Sequence, residues 1–262
     1  MDLSIVIVTY NRSELLAEVV SALRDAGVPL GYSYEIVVAD DCSTGEHRRR
    51  IDNMREVRIV RARHNQGWGA NANSGCANAR AEYVLQLQDD WRFVCNADRL
   101  ADAFEFLRRN SDIGIVQLTR VGTDLPVERR TFGRESFRVF RNDRCPWARA
   151  CGVRPYSDQP HLKRRKFVEE IGGYLEGVPM TQCESEFKRR VANQSRWKVA
   201  MMEGEPCFIH LGEGVSFNPG SRRHGFVRTL RSIPFGESVL EPRLRRTVGW
   251  IDHALAQLLS TC

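Results

Sequence analysis

Three short apolar runs in the first ninety residues each stop at polar side chains. Leu3-Ser-Ile-Val-Ile-Val8 meets Thr9-Tyr10-Asn11, Glu35-Ile-Val-Val-Ala39 meets Asp40-Asp41, and Tyr83-Val-Leu-Gln-Leu87 meets Gln88-Asp89-Asp90. β-rich runs of about 5–6 residues read as strands covered on both faces, the pattern of a parallel sheet. Carboxylates fit such strands only where the chain leaves the sheet, and in open α/β sheets that carboxyl edge is where ligands bind. One acidic strand end is ordinary, and a turn explains it. Three polar ends on one edge could line a single crevice.

The segments between these runs supply the covering layers. Leu15, Leu16, Val19, Val20 and Leu23 recur at helical spacing after Ser13, which reads as an N-cap, and Gly27 with Pro29 closes the helix. Val57–Arg61 is a third strand, so strand, helix and strand follow one another as in a right-handed βαβ unit. The small-residue stretch His64–Cys76 leads into a helix ending near Arg80. Its Gly67 and Gly69 do not complete a dinucleotide fingerprint, because position 72 is alanine. A helix over 97–108, a strand over Ile113–Leu118, hairpin-like pieces such as Phe137–Arg141, and helices over Leu162–Ile171 and 183–193 come next. Strands over Lys198–Met202 and Cys207–Leu211 follow, then a Gly/Pro loop with Arg222, Arg223 and His224, and a tail helix over 239–259. The fold class expected is α/β: a Rossmann-like, mostly parallel sheet flanked by helices, with a small antiparallel extension in the second half.

Composition excludes several classes. With 262 residues, 42% hydrophobic and 27% charged, the chain suits a globular protein with a substantial core. No stretch approaches the roughly 20 apolar residues of a membrane span. Met1-Asp2-Leu3 enters a strand with no basic leader, so a signal peptide is not expected. Eight cysteines without a C-x-x-C pair argue against a zinc ribbon and fit free thiols, although Cys145 and Cys151 could approach each other. The location expected is cytoplasmic. A net charge of +6 suits an anionic partner, whether sugar nucleotide, membrane surface or nucleic acid. An aromatic and basic nucleic-acid motif is not found, so no nucleic-acid partner is expected.

Taken together, Ser4–Asn11, Val38-Ala-Asp-Asp-Cys-Ser43, Asn65-x-Gly67 with Asn73-x-Gly75, and Gln88-Asp-Asp90 resemble the nucleotide-binding half of family 2 glycosyltransferases with the GT-A fold. The likeness runs over roughly residues 3–91 in the expected order. It implies that Thr9 and Tyr10 hold base and ribose, with Asn11 in the same nucleotide-sugar set, that Asp41 accepts the base N–H, and that Asp40 supports its loop. Asn73, Gln88, Asp89 and Arg222 join that nucleotide-sugar set. The resemblance also makes Gln88-Asp89-Asp90 a variant of the D-x-D motif whose last acid holds Mn²⁺ or Mg²⁺, with glutamine at the first position. His210, ending a late apolar strand, would complete the metal site, although a lone histidine also reads as a core residue. Gly172-Gly-Tyr-Leu-Glu176 and Cys183-Glu-Ser-Glu-Phe187 with Arg190 resemble the acceptor half, which places Glu184 at the catalytic base and Glu186 at the third acidic position.

The implied organisation is a nucleotide-sugar half over 1–118, an acceptor half over 119–238 and an amphipathic tail helix over 239–262. The implied activity is an inverting, metal-dependent transfer from a nucleotide diphosphate sugar, UDP favoured, to a hydroxyl of a glycan or lipid-linked acceptor. Two basic runs, Lys163–Lys166 and Arg222-Arg223, could clamp phosphates, and the tail helix could touch an anionic inner membrane face. Two other readings stay open: a non-catalytic nucleotide-sugar-binding module, and a sugar nucleotidyltransferase. The second would want glycine in the loop after the first strand, where Thr9–Ser13 has none.

Overall fold

In the computed structural model of the protein the described residues are 1–28, 31–119, 127–140 and 156–211. The strands are β1 (Leu3–Thr9), β2 (Tyr34–Asp40), β3 (Arg58–Arg61), β4 (Tyr83–Gln88), β5 (Trp91–Phe93), β6 (Ile113–Gln117), β7 (Val127–Phe132), β8 (Glu135–Phe140), β9 (His161–Arg164), β10 (Lys198–Met202) and β11 (Phe208–His210). The helices are α1 (Ser13–Asp25), α2 (Gly45–Asp52), α3 (Trp68–Asn78), α4 (Ala97–Arg109), α5 (Arg165–Ile171) and α6 (Met180–Asn193). Nine strands form one sheet in the order β3-β2-β1-β4-β9-β6-β10-β8-β7, and β11 pairs with β5 in a separate ribbon. β1 lies parallel between β2 and β4, opposing Thr9 to Asp40 and Val8 to Gln88.

Burial on both faces explains the unbroken apolar runs. Leu3, Ile5 and Ile7 of β1 join a core with Leu16, Val19 and Leu23 of α1 and with Leu100 and Phe104 of α4. Val6, between them, points the other way and packs with Val37, Ala39 and Val84. On that second face α3 comes unusually close, since a Cβ on Gly75 would lie 2.6 Å from Val6 Cγ1 and 2.8 Å from Ala39 Cβ. The glycine and alanine content of α3 is therefore used to dock a helix on the sheet.

The elements differ from the sequence expectations in four places. Ser13 is the first helical residue of α1 and not its cap: Arg12 holds the N-cap position, while the Ser13 hydroxyl lies 3.0 Å from His47 Nδ1. Helix α2 has no counterpart in the apolar pattern, because Ile51 is its one buried residue. Helix α6 starts at Met180, so Glu184 sits in its second turn and not at its N-terminus. The stretch Leu162–Ile171 is not one helix. Its first part is β9, running antiparallel between β4 and β6, and only Arg165–Ile171 is helical.

That inserted strand overturns the phosphate-clamp reading of Lys163 and Arg164, which are 1% and 7% exposed. Lys163 Nζ donates to Gln86 Oε1 and lies 5.4 Å from the centre of the Tyr174 ring. Arg164 donates to the carbonyls of Leu107, Arg108 and Asn110 at the end of α4, where unpaired carbonyls and the helix dipole favour a cation. A strand between two others gives its cations no route to water, so they were folded in with partners. Cys145, Cys151, Arg222, Arg223 and the tail helix over 239–259 lie outside the described residues. Among the described residues no helix is long and apolar enough to cross a membrane.

Candidate active site

The three polar strand ends do meet at one edge. Thr9 Oγ1 donates to Asp89 Oδ2 at 2.7 Å, and the Asp89 backbone N–H donates to the Val8 carbonyl. The Asp41 N–H donates to the Thr9 carbonyl at 3.1 Å. The ends of β1, β2 and β4 are thereby tied into one rim, and Thr9, Asp40, Asp41, Asp89 and Asp90 are all buried in it. Asn11 crosses between the two neighbouring loops: its N–H donates to Ser43 Oγ, and its Oδ1 accepts from the Thr44 N–H. Tyr10 projects beside them, 42% exposed.

The two acids at the end of β2 divide their tasks. Asp40 Oδ1 accepts the Ser43 N–H, and its Oδ2 pairs with Arg61, so Asp40 braces the turn after β2. Asp41 accepts the Gln66 and Gly67 N–H groups at 2.8 Å each, pinning the entrance of α3. Each carboxylate oxygen retains a second lone pair. Asn71 is a clamp that the sequence motifs did not single out. Buried in α3, it donates to the Thr9 and Ala39 carbonyls and fixes the edge from below. Asn73, two places on, instead faces the Gly173–Glu176 segment, where it bonds to both the N–H and the carbonyl of Tyr174 and to Glu176.

The pair ending β4 is electrostatically split. Burial, and then the neighbouring negative charge of Asp90, push the Asp89 carboxyl up to about 7 against the pull of Thr9 and Arg12. Asp90 goes the other way: burial works to raise it, but hydrogen bonding and charge from His210 and Arg12 leave it below the usual range. Arg12 Nη1 lies 2.8 Å from Asp90 Oδ2 and 3.4 Å from Asp89 Oδ1. His210 Nε2 stands 3.3 Å from the same Asp90 oxygen. The β5–β11 ribbon brings it there across the chain, setting His210 opposite Trp91 and bonding the Leu211 N–H to the Asp90 carbonyl at 2.7 Å.

Asp90 Oδ1 is buried and has no hydrogen-bond partner among the described residues. An orphaned carboxylate oxygen beside an imidazole fits a divalent cation. No group of three or more His, Cys, Asp or Glu side chains could hold a metal among the described residues. Asp90 and His210 would therefore hold such an ion with the help of ligand oxygens and water, a habit of hard cations.

A second carboxylate pair is formed by Asp158 and Glu184. Because β9 runs antiparallel, the residues preceding it sit at the same edge as the ends of β4 and β6, with Gln86 opposite His161. Glu184 Oε1 accepts the Asp158 N–H at 3.3 Å and pairs with Lys188 at 2.7 Å. Asp158 was absent from the sequence motifs. It is buried, and burial followed by the charge of Glu184 pushes its carboxyl up to about 7. Tyr156 donates to Asp158 Oδ1 at 2.7 Å, Tyr156 and Tyr174 share a bond of 2.6 Å, and Gln86 donates to Tyr174. Glu186, half-buried like Glu184, is taken up in ion pairs with Arg189 and Arg190. Arg190 also closes the Gly172 turn through the Ile171 carbonyl. Gln88 sits part-buried at the rim, and Arg222 lies outside the described residues.

Comparison with known proteins speaks to the family and the fold. The family described as "Glycosyl transferase family 2" matches residues 4–170. The uncharacterized glycosyltransferase YwdF of Bacillus subtilis (strain 168) is 26% identical over 249 residues, covering 88% of this chain and 83% of that protein. Poly(ribitol-phosphate) beta-N-acetylglucosaminyltransferase TarS of Staphylococcus aureus is 27% identical over 126 residues, 46% of this chain but only 22% of TarS. The crystal structure of S. aureus TarS 1-349 in complex with UDP-GlcNAc superposes with a TM-score of 0.56 at 16% identity, covering 82% of this chain and 62% of that one. Mannosyltransferase PcManGT from Pyrobaculum calidifontis, in complex with GDP-Man and Mn2+, gives 0.58 at 16% identity, covering 87% and 64%. The chain thus spans less than two thirds of these solved chains, and at such identities the likeness speaks for the fold. With the family match over residues 4–170 and the shared GT-A architecture, the chain belongs to glycosyl transferase family 2.

Proposed function

We propose that the protein is an inverting, metal-dependent glycosyltransferase that moves one sugar from a nucleotide diphosphate sugar, UDP favoured, to a hydroxyl of a glycan or lipid-linked acceptor. The observation that carries this is the orphaned Asp90 Oδ1 beside His210, on the edge that also gathers Thr9 and Asp41. Neighbours solved with UDP-GlcNAc, and with GDP-Man and Mn2+, support the donor class and the metal. Residues 1–118 would serve the donor and 119–238 the acceptor, with the work cytoplasmic and a peripheral contact of the protein at the inner membrane face.

Each residue has a definite task in this reading. Tyr10 covers the base and Asp41 accepts its ring N–H with a remaining lone pair, while Asn11, Gln88 and Asp89 frame ribose, sugar and diphosphate; the Asn73 amide is taken up by Tyr174 and Glu176 and drops out of the donor set. Asp90 and His210 hold Mn²⁺ or Mg²⁺, which when bound neutralises the charge that grows on the leaving diphosphate. The acceptor hydroxyl oxygen attacks the anomeric carbon as the bond from that carbon to the diphosphate oxygen breaks, and Glu184 takes the hydroxyl proton. Proton transfer requires Glu184 within about 2.6–3.2 Å of that hydroxyl, so its Lys188 ion pair must leave one oxygen for the acceptor.

Sugar-nucleotide turnover with Mn²⁺ and a panel of acceptors tests this directly. Asp90→Ala and Glu184→Gln should each reduce kcat at least about 100-fold, the range of lost acid–base and charge stabilisation. Full activity in both variants would show that the site has been misassigned. Tight nucleotide binding indifferent to metal, with no turnover, would favour the binding-module reading, which the Glu184–Lys188 pair gives some footing.

A further inference from the structure

Arg12 sits where the chain turns from β1 into α1, and its guanidinium reaches into the acidic end of β4. Its side chain is 16% exposed, and Nη1 bridges Asp90 Oδ2 at 2.8 Å and Asp89 Oδ1 at 3.4 Å. The Asp90 oxygen that takes Arg12 also takes His210, while the other oxygen takes nothing among the described residues. A guanidinium is permanently charged, so it cannot give up its place by losing a proton. A divalent ion held by Asp90 Oδ1 and His210 would bring a second positive charge to the carboxylate whose other oxygen Arg12 already neutralises. Like charges at such spacing repel strongly in a buried rim. Each cation therefore weakens the other's hold on this carboxylate. A planar five-donor fork matches phosphate oxygens, and a bound diphosphate adds negative charge next to this metal.

We propose that Arg12 is a built-in counter-cation of the Asp89–Asp90 pair, which the metal displaces and which then engages the donor's diphosphate. Metal and nucleotide diphosphate would thereby bind cooperatively, each raising the affinity of the other by the same factor. This inference rests on the metal reading of Asp90 and His210 given above.

The test is a titration of the full chain with Mn²⁺, reading free Mn²⁺ by electron paramagnetic resonance, with and without uridine diphosphate. Arg12→Gln should bind Mn²⁺ alone about fivefold or more tightly than wild type, and should lose most of the gain that uridine diphosphate confers on wild type. Arg12→Lys, which keeps the charge, should bind Mn²⁺ alone within about twofold of wild type. Arg12→Met, which keeps the aliphatic stem, repeats the measurement should the glutamine variant fail to fold. Unchanged or weaker Mn²⁺ binding on removal of the charge overturns the inference. Asp90→Asn separates the two readings: if it still binds Mn²⁺ like wild type, the metal site itself was misplaced. If it loses Mn²⁺ while Arg12→Gln stays at wild-type affinity, only the role of Arg12 falls.

Discussion

Burial holds Asp158 near pKa 7 and His161 near 3, and the two shifts act on stability with opposite signs. The folded pKa of Asp158 is raised from 3.8, so its stabilising proton is fully bound below that value and is lost as pH rises through 7. For His161 burial and then the charge of Lys163 depress the folded pKa from 6.5, so stability present above 6.5 is lost as pH falls toward 3. Between about pH 4 and 6.5 the slopes oppose each other, each at roughly 1.4 kcal/mol per pH unit. Asp158→Asn should therefore gain stability relative to wild type, by about 1 kcal/mol or more, as pH rises from about 5 to 8. Urea midpoints across that range check it, and a pH-independent difference would rule it out. Neither residue stood out in the sequence. A lone Asp between Ser157 and Gln159 carries no periodic signal, and its chemistry comes from the Tyr156, Tyr174 and Glu184 groups around it.

Among the elements, α3 was legible as a helix of small residues but not in its purpose. A Cβ on Gly69 would lie 2.0 Å from the Leu175 carbonyl oxygen, and backbone cannot swing aside as a side chain can. Helix propensity alone would favour Gly69→Ala by about 1 kcal/mol. Overlap should win, giving a net loss of roughly 1–3 kcal/mol in chemical denaturation, with the Gly173–Glu176 segment displaced. A neutral or stabilised variant would mean that Leu175 approaches less closely. Strand β9 shows the opposite case. Lys163-Arg164 reads as surface charge in a one-dimensional pattern, and only its place between β4 and β6 supplies the Gln86, Tyr174 and α4 partners that make burial tolerable. In the β5–β11 ribbon, β11 falls inside the strand expected over Cys207–Leu211, but β5 and the pairing were illegible for a related reason. Three-residue strands carry no period, yet this pair is what sets His210 beside Asp90.

For the molecule as a whole, ligand linkage gives a test independent of chemistry. A ligand that binds only the folded state at 100 times its Kd adds about 2.7 kcal/mol of stability. Uridine diphosphate with Mn²⁺ should accordingly raise Tm by a few degrees in wild type, and by much less in Asp90→Ala. An equal rise in both would detach the nucleotide from the rim at Asp90. The sequence by itself determined the α/β class, the parallel arrangement of β1, β2 and β4, and the edge on which Thr9, Asp41 and Asp90 gather. Those follow from local physics: apolar runs demand cover on both faces, and carboxylates are expelled to the strand ends. Only the tertiary structure decided that Arg12 lies against Asp89 and Asp90, that Asp158 supports Glu184, and that Lys163 and Arg164 belong to the interior. These depend on contacts between residues far apart in the chain, where the sign of a neighbour's charge and its access to water are set by packing and not by sequence order.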